Sequence, residues 1–235
     1  MNPDLSISAR GPKKKIRSRT IKPAIPQKRN AAETRDRILR TAISEFSKRG
    51  YSGARVDTIC RAARVNPRMI YHYFASKAGL YIAVLDEVLG ELRAEEMKLD
   101  VDHVPPAIAA MQLFEFIHNH FGKHPELMNL LSGENLLRAE FLQRSRKAAI
   151  ISSPVIGLID RLLRRGEKAG VFRAGIDALQ LYVVMVGLSY FHRSNAYTLS
   201  VIFSTDLLDP KWQAKQKKLA AEMLGRFMLR EAAAG

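Results

Sequence analysis

The sequence predicts an all-α protein, and three observations support this fold class. Apolar residues recur at the three- and four-residue spacing of a helix along most of the chain beyond residue 30. Two of these segments open with a good N-cap residue followed by proline, at Asn66-Pro67 and Asp209-Pro210. Apolar residues make up 47% of the 235 residues, which is enough to build a core. The longest apolar run, 178–191, is shorter than the ~20 residues that a membrane span needs, so we interpret it as a buried helix.

Residues 1–30 are predicted to form a disordered basic arm. They carry a net charge of +8, contain four of the ten prolines and have no aromatic side chain. Such a segment buries too little apolar surface to offset the entropy lost on ordering. Two interpretations stay open at this point: a solvated tail without a role, or an arm that lies along phosphates or in a minor groove.

Four helices are predicted between residues 30 and 99. A capping box at Asn30 and Glu33 starts the first, which Gly50 closes. The second is expected from 58 to 64, with Asp57 as its N-cap. The third begins after Asn66 and runs to Phe74, and the fourth spans 77–99 behind the N-cap Ser76. Two short helices joined by a tight turn, with a further helix behind, form a helix-turn-helix module.

The third helix has an apolar face and a polar face. At ~100° per residue, Ile70 and Phe74 fall on the side that docks on the first two helices. The residues predicted to point outward are Arg68, Met69 and His72, with Tyr71 and Tyr73 at the borders. Such a face suits a major groove. Residues 31–77 carry a net charge of +6 and residues 78–235 only +1, so the first third is expected to bind the polyanion.

The rest of the chain is predicted to be helical at 105–121, 125–136, 140–169 with a bend at Pro154, 176–203 and 210–230. The last two helices are the expected dimer surface, because apolar residues recur along both. These stripes are Leu181, Val184, Met185 and Leu188, and Leu219, Met223, Phe227 and Met228. Ordinary intrachain core is the alternative interpretation of the same stripes.

Neither an enzyme nor a metal site is predicted. The sequence contains no Gly-rich phosphate loop and no nucleophile elbow. Histidines at 118, 120 and 124 have no Asp, Glu or Cys that completes a ligand set, and Cys60 is the single cysteine. No cofactor is expected. The polar cluster at 190–195 is either part of a small-molecule pocket or a polar rim at a dimer interface.

The N-terminal string ETRDRILRTAISEFSKRGYSGARVDTICRAARVNPRMIYHYFASKAGLYIAVL closely resembles the DNA-binding domain of the TetR/AcrR family of bacterial transcriptional regulators. The resemblance implies a homodimer whose third helices enter successive major grooves of a pseudo-palindrome, and a C-terminal domain that binds a small-molecule effector. It places a phosphate contact at Thr58, base contacts at Arg68, Tyr71 and His72, and a backbone contact at Lys77. The predicted DNA-binding set is therefore Thr58, Arg68, Met69, Tyr71, His72, Tyr73 and Lys77.

The chain departs from the family pattern at three positions. Arg64 stands in the turn where the family usually has glycine. Arg55 replaces the usual Ser or Thr near the start of the second helix, so this position offers no side-chain oxygen as a cap. Gly79 stands where Glu or Asp commonly follows the lysine.

The C-terminal half, including LLSGENLLRAEFLQRS and YFHRSNAYTLSVIF, resembles NicS-like regulators of N-heteroaromatic catabolism. That resemblance implies an aromatic or heteroaromatic carboxylate as effector, and such an anion requires a cation. The candidate pocket residues are Phe114, His118, Arg138, Arg161, Tyr190, His192 and Asn195, with Arg144 as a further possible cation.

The sequence favours a cytoplasmic, ligand-released repressor that binds double-stranded DNA as a homodimer and does not bind membranes. The expected division is a basic arm at 1–30, a helix-turn-helix domain at 31–77 and an effector-binding and dimerisation domain at 78–235. Two other classes stay open: a nonspecific architectural DNA-binding protein that depends on the arm, and a basic protein on an anionic lipid surface.

Overall fold

The structure is a computed structural model that describes residues 25–230, with side chains at 31–147 and 154–230. This part of the chain forms ten α-helices and one 3₁₀ turn, which confirms the all-α prediction. One antiparallel β-bridge, between Phe172 and Leu229, ties the segment before α8 to the end of α10. The helices are α1 (Ile25–Gly53), α2 (Val56–Ala63), α3 (Pro67–Phe74), α4 (Lys77–Glu96), α5 (Pro106–Lys123), α6 (Pro125–Leu136), α7 (Ala148–Lys168), α8 (Ala178–Ser194), α9 (Ala196–Ile202) and α10 (Pro210–Met228).

The first helix begins earlier than the sequence predicted. It starts at Ile25 rather than at Asn30, so residues 25–30, predicted as the end of the disordered arm, are helical instead. Pro26 in the first turn is compatible with this start, because the first amide groups of a helix need no intrahelical acceptor. Residues 1–24 of the predicted arm lie outside the described residues. Gly50 interrupts the helical backbone with φ 65°, in keeping with its predicted role at the end of the helix.

Three of the N-caps predicted in this region can be compared directly with the structure. Asn66 accepts a hydrogen bond from the Arg68 amide at 2.9 Å, and Ser76 accepts one from the Gly79 amide at 2.9 Å, so both caps are confirmed. The cap predicted at Asp57 is wrong. Helix α2 begins at Val56, with Asp57 inside its first turn. Arg55 is the N-cap residue without a side-chain bond, and its own amide donates to Glu45 Oε1 at 3.3 Å.

Two long helices predicted in the C-terminal part are shorter than expected. The segment predicted at 140–169 is a 3₁₀ turn at Leu142–Arg144 followed by α7, and Pro154 lies inside α7. The segment predicted at 176–203 is divided into α8 and α9. The division falls at Asn195, whose φ of −107° and ψ of 12° leave the helical region. Asp209 caps α10 as predicted, accepting from the Trp212 amide at 3.1 Å.

Helix α4 joins the two halves of the molecule. It packs against α1 and α3 on one side of the molecule and against α5 and α7 on the other. Its inward residues Leu80, Val84, Leu85 and Leu92 are all buried in a continuous core. A movement of the C-terminal helices relative to α4 is therefore also a movement relative to α3, the predicted recognition helix.

Candidate DNA-binding surface and effector region

Helix α3 presents a polar outer face above a buried inner one. Ile70 is fully buried and Phe74 is 7% exposed, so both dock on the first two helices as the wheel predicted. Arg68 and His72 are exposed, and Tyr71 is 56% exposed. A guanidinium, an imidazole and a phenol group are thus directed away from the core, and each can hydrogen-bond to base edges or phosphates.

Met69 and Tyr73 lie at the edge of this outer face. Both are half-buried and pack against the hydrophobic core. The prediction that Met69 points away from the core is therefore wrong. Helix α3 is short, so the side of the helix that carries Met69 also packs on neighbouring helices. The Tyr73 ring lies 5.0 Å from the His72 ring, at a near-perpendicular angle. Met69 and Tyr73 therefore flank the exposed face.

Lys77 occupies the first turn of α4, next to the Ser76 cap. Its ammonium group lies 4.8 Å from the centre of the Tyr51 ring, a cation–π distance. Tyr51 in turn packs on Phe141, with ring centres 4.1 Å apart, and on Tyr81 at 5.2 Å. Lys77 thus lies on an aromatic cluster that the loop after α6 completes.

Thr58, the predicted phosphate contact, is half-buried in the first turns of α2. It lines a polar cleft of about 320 Å³ with Glu45, Arg49, Gly53 and Arg55. Glu45 Oε1 lies 3.5 Å from Arg49 Nε and accepts from the Arg55 amide. A carboxylate therefore occupies part of the space at this helix N-terminus, while both arginine side chains remain exposed.

In the effector half, three predicted pocket residues lie together. The rings of Phe114 and His118 on α5 are 5.9 Å apart, and His118 stacks on His192 of α8 at 5.6 Å. His118 is 2% exposed and His192 is 5% exposed. Burial, helped by the nearby Arg193 guanidinium, lowers the pKa of His118 to about 4. Burial also lowers the pKa of His192. Both imidazoles are consequently neutral at pH 7.

The other four predicted pocket residues do not join this cluster. Tyr190 contacts α6 instead, with its hydroxyl 2.5 Å from Ser132 Oγ. Asn195 Nδ2 donates to the Phe191 carbonyl at 2.9 Å and so closes the end of α8. Arg138 and Arg161 are exposed, and within the described residues neither contacts His118 or His192.

Sequence reasoning missed one member of the histidine cluster, Arg193. Its Nη2 lies 3.5 Å from His118 Nδ1, and the side chain is half-buried. The guanidinium passes close over Gly122, where an added Cβ would be 3.1 Å from Nη1. The available signal was a charged residue next to His192, directly after the longest apolar run of the chain. In the described part of the chain, no group of three or more His, Cys, Asp or Glu residues could hold a metal ion.

Comparison with known proteins identifies the family. Residues 38–84 match the family model for bacterial regulatory proteins of the tetR family, and residues 106–224 match the model for the tetracyclin repressor-like C-terminal domain. The transcriptional repressor NicS of Pseudomonas putida is 35% identical over 184 residues, covering 78% of this chain and 87% of NicS. The chain belongs to the TetR family.

A further relative in sequence and a solved structure of similar fold are also similar to this chain. The Streptomyces coelicolor repressor SCO4008 is 28% identical, over 68% of this chain and 79% of its own length. The crystal structure of reduced Escherichia coli NemR aligns with a TM-score of 0.62 and 18% identity, covering 86% of this chain and all of NemR. TetR regulators bind DNA and act as dimers, and NicS and SCO4008 are transcriptional repressors. Among residues 25–230, no helix is both long and apolar enough to cross a membrane.

Two departures from the TetR family pattern have visible consequences. Arg64 adopts φ 53° and ψ 49°, the left-handed conformation for which the family's glycine is suited. The turn closes around it through the Val65 amide, which donates to the Cys60 carbonyl at 3.0 Å. At Gly79, an added Cβ would lie 2.0 Å from the Phe74 carbonyl oxygen. The close junction of α3 with α4 thus accounts for a glycine at this position.

Proposed function

We propose that this chain is a sequence-specific, homodimeric repressor that leaves its operator when a small aromatic or heteroaromatic acid binds. The observation that carries the proposal is the exposed Arg68, Tyr71 and His72 face of α3, adjacent to Lys77 at the start of α4. Two relatives named as repressors, NicS and SCO4008, support the direction of regulation. DNA as the partner places the site of action in the cytoplasm, and nothing in this role requires catalysis.

In the proposed complex, α3 lies in the major groove and reads bases through Arg68, Tyr71 and His72. Met69 and Tyr73 flank the contact, because they are half-buried at its edges. Lys77 and Thr58 contact phosphates from the starts of α4 and α2, where helix N-termini favour anions. The proposed DNA-binding domain is 31–77 together with the helical residues 25–30, and 78–235 forms the effector and dimer domain.

Fluorescence anisotropy with the palindromic DNA upstream of the gene tests these roles. Arg68→Ala is expected to lose affinity for the operator and to reduce the preference for it over a scrambled duplex, because a base contact is worth about 1–3 kcal/mol. Lys77→Ala is expected to weaken binding to both duplexes alike and to lower the salt slope by about 1. Arg161→Ala, an exposed arginine on α7, is the matched control. Equal changes in preference for Arg68→Ala and Lys77→Ala would contradict the assignment.

The proposed dimer interface is the outer face of the last three helices. The stripes predicted from the sequence combine core and surface, because Leu181, Met185 and Met228 are buried within the chain. The apolar residues that remain exposed there are Leu179, Val183, Val184, Phe191, Tyr197, Val201, Ile202, Phe203, Leu219, Met223 and Phe227. Exposed apolar residues in this number, on three successive helices, favour a protein interface.

Met223→Glu tests the interface. Met223 is 54% exposed on α10, so the monomer should fold, while a carboxylate in a dimer core should shift the protein towards monomer in analytical ultracentrifugation. Operator affinity should fall with it, since one recognition helix reads too few base pairs. The control is Leu136→Glu, at a leucine of α6 that is 86% exposed. A dimer unchanged by Met223→Glu would place the interface elsewhere.

Release from DNA is proposed to occur by population shift. An effector that binds better to a dimer whose recognition helices are no longer about 34–36 Å apart weakens operator binding. Linkage then requires the operator to weaken effector binding by the same factor. Calorimetry of effector binding with and without operator duplex measures both sides of this cycle. Equal effector affinities in the two titrations would exclude the switch.

A further inference from the structure

We propose that Arg193 and His118 form the site that receives the carboxylate of the effector, a small aromatic acid. This inference rests on the proposed function for its biological meaning, but the site is argued from its own contacts. It differs from the sequence prediction, which left Arg138, Arg144, Arg161 and His192 as the candidate cations.

The first argument is that nothing in the described chain neutralises Arg193. Its side chain is half-buried, and its sole hydrogen-bonding partner among the described residues is the His118 ring at 3.5 Å. The Nε of Arg193 is buried without any partner. Burial lowers the pKa of Arg193, and no acidic neighbour opposes that shift. A desolvated cation without a counter-ion is unfavourable, and a bound carboxylate would remove this cost.

The second argument concerns the neighbouring charges, which are already engaged. Glu115 on α5 is paired with the Lys217 ammonium group of α10. Lys217 also lies 3.3 Å from Asn119 Oδ1. The Lys217 hydrogen bond lowers the pKa of Glu115, as expected for a carboxylate held in its charged form. Arg193 is therefore the half-buried cation of this region that remains available for a ligand.

The third argument is an unsatisfied hydrogen-bond donor on His118. An arginine can only donate, so Nδ1 of His118 accepts from Arg193 and the proton of the neutral ring lies on Nε2. That Nε2 is buried and has no partner. Buried polar groups are nearly always paired, so an unpaired one in an effector domain points to a ligand acceptor. The guanidinium of Arg193 supplies the charged donors for the carboxylate, and His118 Nε2, on the opposite edge of the ring from Arg193, supplies a separate donor in the same region.

The fourth argument is the aromatic surroundings, which favour an aromatic acid. A row of rings runs from Phe114 through His118 and His192 to Trp212, with the last two centres 5.9 Å apart. Beside His192 and Trp212 lies an apolar groove of about 350 Å³ between α8, α9 and α10. Trp212 is the single tryptophan of the chain, so its fluorescence reports on this region without a label.

The experiment titrates the full-length dimer with benzoate and pyridine-3-carboxylate while recording Trp212 fluorescence and binding heat. The matched neutral ligands are benzamide and pyridine-3-carboxamide, which keep the ring and lose the charge. Arg193→Gln should weaken carboxylate binding by about tenfold or more, since hydrogen bonds to charged groups are worth about 1.5–3 kcal/mol. Arg193→Lys keeps the charge but not the planar fork, and should weaken binding less than Arg193→Gln does. Arg161→Gln should bind as the unaltered protein does.

The outcomes separate this site from the proposed function. Carboxylate binding that is lost in Arg193→Gln but kept in Arg161→Gln supports the site. Unchanged affinity in Arg193→Gln overturns it, as expected if Arg193 only complements the ends of α5 and α8 or pairs with a carboxylate of the partner subunit. Equal binding of acids and amides, or no binding of either acid, also overturns it. Operator binding measured on the same samples tests the DNA-binding function independently. If these acids still release the operator from Arg193→Gln, the proposed function stands and the site proposed at Arg193 is wrong.

Discussion

Replacing Arg64 by glycine should stabilise the protein, although it removes a charged side chain from an exposed turn. Arg64 holds φ 53° and ψ 49° at the end of α2. A non-glycine residue in this region is disfavoured by about 1–2 kcal/mol. Glycine loses more entropy on folding, about 0.5–1 kcal/mol. The net gain expected for Arg64→Gly is therefore about 1 kcal/mol, or about 2–4 °C in melting temperature for a chain of this size.

Two further variants separate backbone strain from loss of charge. Arg64→Ala removes the same side chain but keeps the strained backbone, so its stability should stay near that of the unaltered protein. Arg61→Gly removes an arginine from the last turn of the same helix, where φ and ψ are helical, and should lose about 1 kcal/mol. Urea unfolding monitored by circular dichroism measures all three. The protein concentration must be equal throughout, because the stability of a dimer depends on it.

The comparison between Arg64→Gly and Arg64→Ala tests whether the backbone at position 64 is strained. If the glycine variant is no more stable than the alanine variant, the turn does not hold Arg64 in a strained conformation and the reasoning is wrong. Operator affinity is a separate readout, since either change removes a positive charge from the helix-turn-helix. Both variants should lose the same small amount of affinity, with the difference between them confined to stability.

Three further predictions concern folding. Burial lowers the pKa of His118 from an unfolded value of about 6.5 to about 4, so the contribution of His118 to the free energy of unfolding is complete above pH 6.5 and is lost as the pH falls towards 4. Urea unfolding should therefore show about 2 kcal/mol less stability from this residue at pH 5 than at pH 7.5. The variant His118→Gln should show a smaller pH dependence. Gly79→Ala should lower the melting temperature measured by calorimetry, because its Cβ would lie 2.0 Å from the carbonyl oxygen that ends α3; an unchanged value would mean that the junction adjusts freely. Arg93→Met leaves the fully buried Glu96 without its cationic partner and should cost about 3 kcal/mol in chemical unfolding. Arg164→Met, in an exposed pair, should cost less than about 1 kcal/mol, and similar losses in the two variants would refute this ranking.

Local signals predicted those parts of the fold that depend on neighbouring residues. Asn66, Ser76 and Asp209 cap the helices that the sequence assigned to them, because a cap needs only a side-chain oxygen two or three residues before an amide. Asp57 fails as a cap for a tertiary reason. Glu45 on α1 accepts from the amide of Arg55, so α2 begins before Asp57 and its start depends on a residue ten positions away.

The candidate sites show the same division between local and tertiary information. The outer face of α3 follows from the helical wheel, and the structure changes only Met69, which the core covers in part. The cation of the effector region could not be chosen by residue type, since Arg138, Arg161 and Arg193 look alike in a sequence. What distinguishes Arg193 is burial against α5 beside Gly122, and this depends on how α5 and α8 pack. Of the seven predicted pocket residues, the site proposed above uses His118 and adjoins Phe114 and His192, and it does not use Arg138 or Arg161.

Helix α4 gives the proposed switch a physical route between its two sites. At its C-terminal end, Arg93 and the buried Glu96 hydrogen-bond to Tyr182 of α8, the helix that also carries His192 and Arg193. At its N-terminal end, Lys77 lies over Tyr51, whose ring packs on Phe141 of the loop after α6. Because α4 is one continuous helix of 20 residues, we propose that a shift of α8, carried through Tyr182 to Arg93 and Glu96, changes the position of Lys77. In this proposal, a ligand at Arg193 favours one of two positions of α8 relative to α4, since packed helices tend to switch between discrete arrangements.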